Sequence, residues 1–337
     1  MSKSFPLLRL PHLALLHVLR FFSTADLVDI SLCSKVTKYF VKRVIKKPRK
    51  LQFFIDGEFQ IWISLRRSQI IWTFYYDELK ENPHRIPSSG IVKVTKWSGW
   101  GVKTMEKNYQ MNDFGIRNWM DHIAKLFNLL LNDLTIRDFV KMFEIQDVRN
   151  LVDGLKIQNV RIGYFIPDSY VQTILESVQI SKILVLPSTS RLMSLENIKF
   201  NMEELKLELS HFLTIDHVSN MNCRFIDLGY SNFEDSQLNS FLKSWMTGEW
   251  NRELEVLRTR SEEGKIWITE RVLNGLDARK VTAERTIRIK SVNRSIGKEV
   301  KLTPPSWDIH RENTIGSVII RSIDDIQSCF LFCVWPE

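Results

Sequence analysis

The sequence predicts a mixed fold, α+β in parts and α/β in others. An N-terminal set of three short helices precedes an antiparallel strand segment, a repetitive parallel α/β body and a C-terminal group of strands. Three observations predict it. Leu15, Val18, Leu19 and Phe22 stand at offsets 0, 3, 4 and 7, the spacing of one helical face. Phe59, Ile61, Ile63 and Leu65 alternate with Gln60, Trp62, Ser64 and Arg66, the period of a strand with one buried side. Apolar-x-apolar units then recur through the central third at intervals of 24, 21 and 21 residues.

Each element has a local reason. Pro11 fits the first helical position, where a missing N–H has no intrahelical partner to lose. Ser23-Thr24 supplies an N-cap for a second helix, and Asp26 suits its positive end. Val36, Phe40, Val41 and Val44 mark a third helix, which Pro48 stops. So small a module leaves most of its surface exposed, and something else must cover its apolar remainder.

In the strand segment, Leu51 to Ile55 and Ile70 to Tyr75 flank the alternating run, and Asp56-Gly57 gives a turn signal. Trp97-Ser98-Gly99-Trp100-Gly101 reads as a packed turn, because no helix-starting phosphate pattern follows it. Ile116, Trp119, Met120, Ile123, Phe127, Leu130, Leu131 and Leu134 fall on one stripe, which predicts a core helix between Arg117 and Leu134 with Asn132-Asp133 near its end.

The recurring units are Val160-Arg161-Ile162, Leu184-Val185-Leu186, Leu205-Lys206-Leu207 and Ile226-Asp227-Leu228, with Leu254-Glu255-Val256 as a fifth. Their periods match a leucine-rich-repeat-like solenoid, although the asparagine ladder of such repeats is missing; a parallel α/β layer without solenoid curvature is the alternative. Val171, Ile174, Leu175 and Val178 form one helical return, and Leu238, Phe241, Leu242 and Trp245 form another, closed by Thr247-Gly248. Strands are expected again at Lys265 to Ile268, Thr286 to Ile289, Ser317 to Ile320 and Phe330 to Trp335. Long loops are expected between Arg271 and Arg311.

The N-terminal residues carry a resemblance. Phe5 to Val44 resembles an F-box, the motif that binds the Skp adaptor of cullin-type ubiquitin ligases, through Leu10-Pro11, the helix positions Leu15, Val18 and Leu19, then Leu27, Leu32 and Cys33-Ser34-Lys35. Many F-boxes carry an aromatic two residues after the basic residue at 35; here that position is Thr37. Met193 to Arg260, with its Asn222 to Leu228 strand and Leu238 to Trp250 helix, resembles the type 2 F-box-associated domain, which pairs with an F-box in a large nematode family. Phe332 to Pro336 looks like the end of such chains.

Patterning and resemblance together divide the chain into an F-box at 4–47, a strand-rich segment at 50–115, a repeat-like body at 116–260 that includes the associated domain from about 193, and a strand-rich segment at 261–337. The resemblance implies an intracellular, cytoplasmic or nuclear adaptor that recognises a substrate and makes no bonds itself. Leu10, Pro11, Leu15, Val18, Leu19, Leu27 and Leu32 would be buried against the Skp adaptor, which links to a cullin, while the body binds a protein target. Arg161, Lys206, Glu208, Asp227 and Tyr230, on or beside the repeat strands, are the candidates for target contact. A one-residue slip would turn them to the other side.

Charge offers the alternative. The net charge is +8, and Lys35 to Lys50 holds eight positive residues with no acidic one, so this stretch equals the whole excess. A nucleic-acid or membrane-surface binder would use it with Trp62, Trp72 and Trp97; a solvated helix face is the plainer reading. The longest apolar run, Phe330 to Trp335, has six residues, too few to cross a bilayer. His12, His17 and Arg20 interrupt the N-terminal apolar run and argue against a secretory signal. Cys33, Cys223, Cys329 and Cys333 are too scattered for a disulfide framework, and Cys329 and Cys333 read as buried small hydrophobes. His211 and His217, six apart, suit capping or solvated roles better than a metal pair. No phosphate loop, metalloprotease motif or nucleophile elbow is present in the sequence, so neither catalysis, a cofactor nor a small-molecule substrate is expected.

Overall fold

The computed structural model describes residues 7–56, 58–74, 91–98, 101–108, 114–129, 131–137, 144–187, 200–211, 213–249, 252–288, 299–323 and 326–335. Expectations on residues 4–6, Gly57, Tyr75, Gly99, Trp100, Leu130, 193–199, Trp250, Ile289 and Pro336 lie outside them. The chain forms two compact units, residues 1–157 and 158–337.

The first unit opens with α1 (His12–Leu19), α2 (Thr24–Cys33) and α3 (Lys35–Val44). Pro11 occupies the N-cap of α1 rather than its first turn, and its carbonyl accepts the Leu15 N–H at 2.9 Å. Ser23 caps α2 by accepting the Asp26 N–H. Ser34 caps α3 in a reciprocal box with Thr37, which explains a small polar residue at that buried position. The strands are β1 (Lys50–Asp56), β2 (Glu58–Ser64), β3 (Ser68–Phe74), β4 (Ile91–Ser98) and β5 (Gly101–Asn108), followed by α4 (Ile116–Phe127), β6 (Leu131–Ile136) and α5 (Ile145–Val152). Strands β1 to β5 form the expected antiparallel meander, and β6 joins β1 in parallel.

The long core helix is shorter than the stripe suggests. It stops at Phe127 because Asn128 turns into the left-handed region at φ 51, and Leu131 and Leu134 lie on β6 instead. Asn132 and Asp133 therefore serve a strand: Asn132 accepts the Leu51 N–H, and buried Asp133 pairs with Lys50 and Gln52. Trp119 of α4 packs edge-on against Phe74 at 5.7 Å. Burying an aromatic of that size contributes roughly 4–6 kcal/mol of transfer free energy.

The second unit holds β7 (Lys156–Ile162), α6 (Asp168–Ser177), β8 (Gln179–Leu186), β9 (Glu204–Leu207), α7 (Ile215–Ser219), β10 (Phe225–Ser231), α8 (Asp235–Met246), β11 (Val256–Ser261), α9 (Thr269–Val272), β12 (Arg279–Val281), β13 (Arg285–Arg288), β14 (Glu299–Leu302), β15 (Ser306–Arg311), β16 (Thr314–Ile323) and β17 (Gln327–Val334). Strands β7 to β11 are neighbours in chain order, and β8 through β11 are parallel. The repeat units are thus strands of a parallel α/β layer. That layer does not continue as further repeats: β11 takes β17 as an antiparallel neighbour, and β16, β15 and β12 follow antiparallel.

Both predicted returns are helices that bury their stripes. Phe241 of α8 meets Phe332 at 5.3 Å, Trp245 meets the same ring at 5.0 Å, and Gly248 at φ 78 closes the helix, its N–H donating to the Trp245 carbonyl and the Glu249 N–H to the Ser244 carbonyl. The opposite side of the sheet buries Phe225, Val256, Ile319 and Cys333 under Ile287 and Leu302 of the β13–β14 pair. Burial pushes the Cys223 and Cys333 thiols up to about 12, as inert core side chains.

Three expectations are corrected. The fifth strand starts at Val256, so Leu254 is a buried residue before it. Lys265 to Ile268 forms no named strand and makes one bridge, Lys265 to Gln327: the Trp267 backbone N–H donates to Ser328 Oγ at 3.0 Å instead of to a strand carbonyl, while its indole N–H donates to the Phe233 carbonyl at 2.7 Å. Residues 271–311 are not all loop, since β12 to β15 lie there. Within them Arg285 forks onto Asp308 at 2.7 and 2.8 Å.

Candidate docking surfaces

The helical module has a core of its own. Leu15 is 2% exposed and Leu19 1%, and with Leu27, Val28 and Val41 they pack where the three helices meet. What remains outside is also apolar: Leu13 is 80% exposed and Phe21 79%, accompanied by Leu8, Phe22, Val36 and Tyr39. Of the residues implied for adaptor binding, Pro11 is exposed and Leu10, Val18 and Leu32 are half-buried; Leu15, Leu19 and Leu27 face inward. Helical spacing found the stripe, but Leu13 and Phe21 stand off it and were missed.

The module is held to the rest of its unit by polar contacts. Lys107 of β5 pairs with Asp29 and reaches Asp26 at 3.9 Å. Ser31 donates to the Val28 carbonyl at 2.6 Å and lies 2.7 Å from His122 Nε2, while Lys38 Nζ lies 3.2 Å from His122 Nδ1. That arrangement assigns the proton of a neutral imidazole to Nε2. Burial, then Lys38 and Lys42, lower the His122 pKa to about 4.

A second surface lies at the carboxyl ends of the parallel strands, where open α/β sheets place their ligands. Lys206 stands between Val185 and Asp227 in register, and buried Asp227 pairs with Arg258. Glu208 accepts the Tyr164 hydroxyl, and Arg260 lies over the Tyr230 ring at 5.9 Å. Four of the five candidates therefore gather, and Arg161 is exposed on β7. Tyr164 at 60% and Phe165 at 65% exposure, with Arg258 and Arg260, were not singled out. Their signal was position, just past the strand unit ending at Ile162 and on the fifth strand.

Of the proposed nucleic-acid aromatics, Trp72 is core with no exposed area, Trp62 is half-buried against Phe54, and Trp97 is half exposed. His217 caps α7 with Thr214, and His211 pairs with Glu262 at 2.5 Å. Among the described residues no three His, Cys, Asp or Glu side chains are grouped to hold a metal, and no helix is long and apolar enough to cross a membrane.

A small helical module with an uncovered apolar surface, together with an α/β body that gathers arginines and tyrosines at its strand ends, defines an interaction protein. Comparison with known families specifies it: residues 7–49 match the F-box domain and residues 195–259 match the model described as F-box associated, so the chain carries an F-box and a type 2 F-box-associated domain. It is similar to uncharacterized protein F59B2.8 of Caenorhabditis elegans, 27% identical over 271 residues, which cover 77% of this chain and 61% of that protein. It is also similar to the Skn-1 dependent zygotic transcript 15 protein of the same organism, 22% identical over 300 residues, covering 81% and 83% of the two chains. No solved structure matches.

Proposed function

We propose that this chain is the substrate-recognition adaptor of a Skp/cullin/F-box ubiquitin ligase. The observation that carries the reading is the uncovered apolar surface of the segment matched as an F-box, led by Leu13 and Phe21. Such side chains rarely stand exposed together without a partner. Pro11, Leu10, Val18 and Leu32, with Leu8, Leu13, Phe21 and Phe22, would touch the Skp adaptor; Leu15, Leu19 and Leu27 would keep that surface in shape. The segments 4–47, 50–115, 116–260 and 261–337 divide the work, the first docking and the third, with its leucine-rich-repeat-like stacking, presenting the target face.

The chain would do no chemistry. Holding a target near activated ubiquitin raises the effective concentration of its lysines, which is enough. Tyr164, Phe165, Tyr230 and Arg260 are the residue types that dominate binding energy in interfaces, and they support the strand-end face as the target site with Arg161, Lys206, Glu208 and Asp227 around it.

Capture of a recombinant Skp adaptor by the full chain tests the docking half. Leu13→Asp with Phe21→Asp should abolish capture while circular dichroism stays unchanged; unchanged capture would overturn the assignment. Leu19→Asp is a poorer test, since burying a carboxylate there unfolds the module.

A further inference from the structure

Two lysines, Lys42 and Lys47, line one open cavity in the first unit, and Lys38 and Lys125 add charge beside Lys42. Lys42, Ile45, Lys47, Leu126, Phe127 and Asn128 line a cavity of about 540 Å³, within the roughly 300–1,000 Å³ of ligand sites. Lys42 comes from α3, Lys47 from the segment after it, and Lys125, at the end of α4, adds a third charge beside Lys38. None of Lys38, Lys42, Lys47 and Lys125 pairs with a carboxylate among the described residues. Their crowding is felt: Lys38 is lowered by burial and then by Lys42 and Lys125, and His122 by burial and then by Lys38 and Lys42.

Like charges gathered from two helices cost free energy that an anion would recover. The wall is apolar on one side, from Ile45, Leu126 and Phe127, and Asn128, at the left-handed turn that ends α4, completes it. We propose that this cavity binds a phosphate-bearing polyanion, which bridges α3 of the helical module to α4. Lysine ammonium groups bind phosphate as point charges, and the flexible Lys42 and Lys47 side chains can both turn onto it. The occupant is a free polyphosphate or the headgroup of an anionic lipid; both offer the same chemistry. The site does not depend on the adaptor reading.

The test uses the full chain and inorganic pyrophosphate, with sodium chloride at equal ionic strength as control. Pyrophosphate should raise the melting temperature above the chloride control. It should also move the His122 titration, followed by NMR, upward from about 4, because an anion cancels the field of Lys38 and Lys42. Lys42→Glu with Lys125→Glu, both exposed positions, should weaken binding about tenfold or more while the far-UV spectrum is kept. Phosphatidylcholine vesicles with and without phosphatidylinositol phosphate separate the sources: retention on the anionic vesicles alone, lost in the double variant, assigns the lipid. Binding of neither probe, equal stabilisation by chloride, an unmoved His122 on binding, or full binding by the double variant would each overturn the proposal.

Discussion

Gly229 shows how one atom decides a local fold. Its φ of 54 and the approach of the Glu208 carbonyl, 2.1 Å from where a Cβ would stand, leave room for no side chain. The bend at this residue shifts the β10–β11 register between Asp227 and Tyr230 and so brings Tyr230 under Arg260. Gly229→Ala should cost about 1–3 kcal/mol or more in urea unfolding and disorder the strand-end face first. His122 gives a pH dependence. An unfolded chain protonates this imidazole near 6.5, whereas the folded chain resists until about 4. Between those values the unfolded state holds more protons, so stability rises with pH and is lost as pH falls from about 6.5 towards 4. In urea melts across that window, His122→Gln should flatten the slope. Neither residue announces its role in sequence: a lone glycine and a lone histidine have no periodicity.

At the scale of elements, the helices of the module and the alternating strands were legible because one buried side imposes a period. What covers that side was not. Leu15 and Leu19 satisfy the same spacing whether they face a partner or their own core, and the structure turns them inward. Periodicity also ran past the boundary between α4 and β6, since Leu131 and Leu134 of the strand fall at helical offsets 4 and 7 from Phe127. Only the left-handed Asn128 separates them. Lys265 to Ile268 failed for a different reason: its alternation of burial is real, but the Trp267 backbone N–H donates to the Ser328 hydroxyl in place of a ladder carbonyl. The cap of α3 is testable at this scale. Ser34→Ala removes the oxygen that accepts the Thr37 N–H and should cost about 1 kcal/mol, read as a lower urea midpoint, with α3 exchanging its amides faster.

For the whole molecule, the class of fold was legible and the second unit's closure was not, because non-adjacent pairing leaves no local mark. The adaptor reading makes a demand here too. Capture of the Skp adaptor rests on apolar side chains, so it should survive about 1 M salt, where the screening length is near 3 Å, while pyrophosphate binding at the lysine cavity should disappear. Loss of both together in a salt titration of the full chain would point to charge, not apolar burial, at the docking surface. The place of β17 has a further effect. It lies between β11 and β16, and Phe330 and Phe332 fill the core beneath α8, yet it is synthesised after every other strand of the unit. On the ribosome the first unit's strands have already emerged when β11 still waits for its neighbour. A chain interrupted before Gln327 therefore displays two open strand edges, the very feature that draws sheets into aggregates, and only copies that extend through Val334 escape with that seam closed.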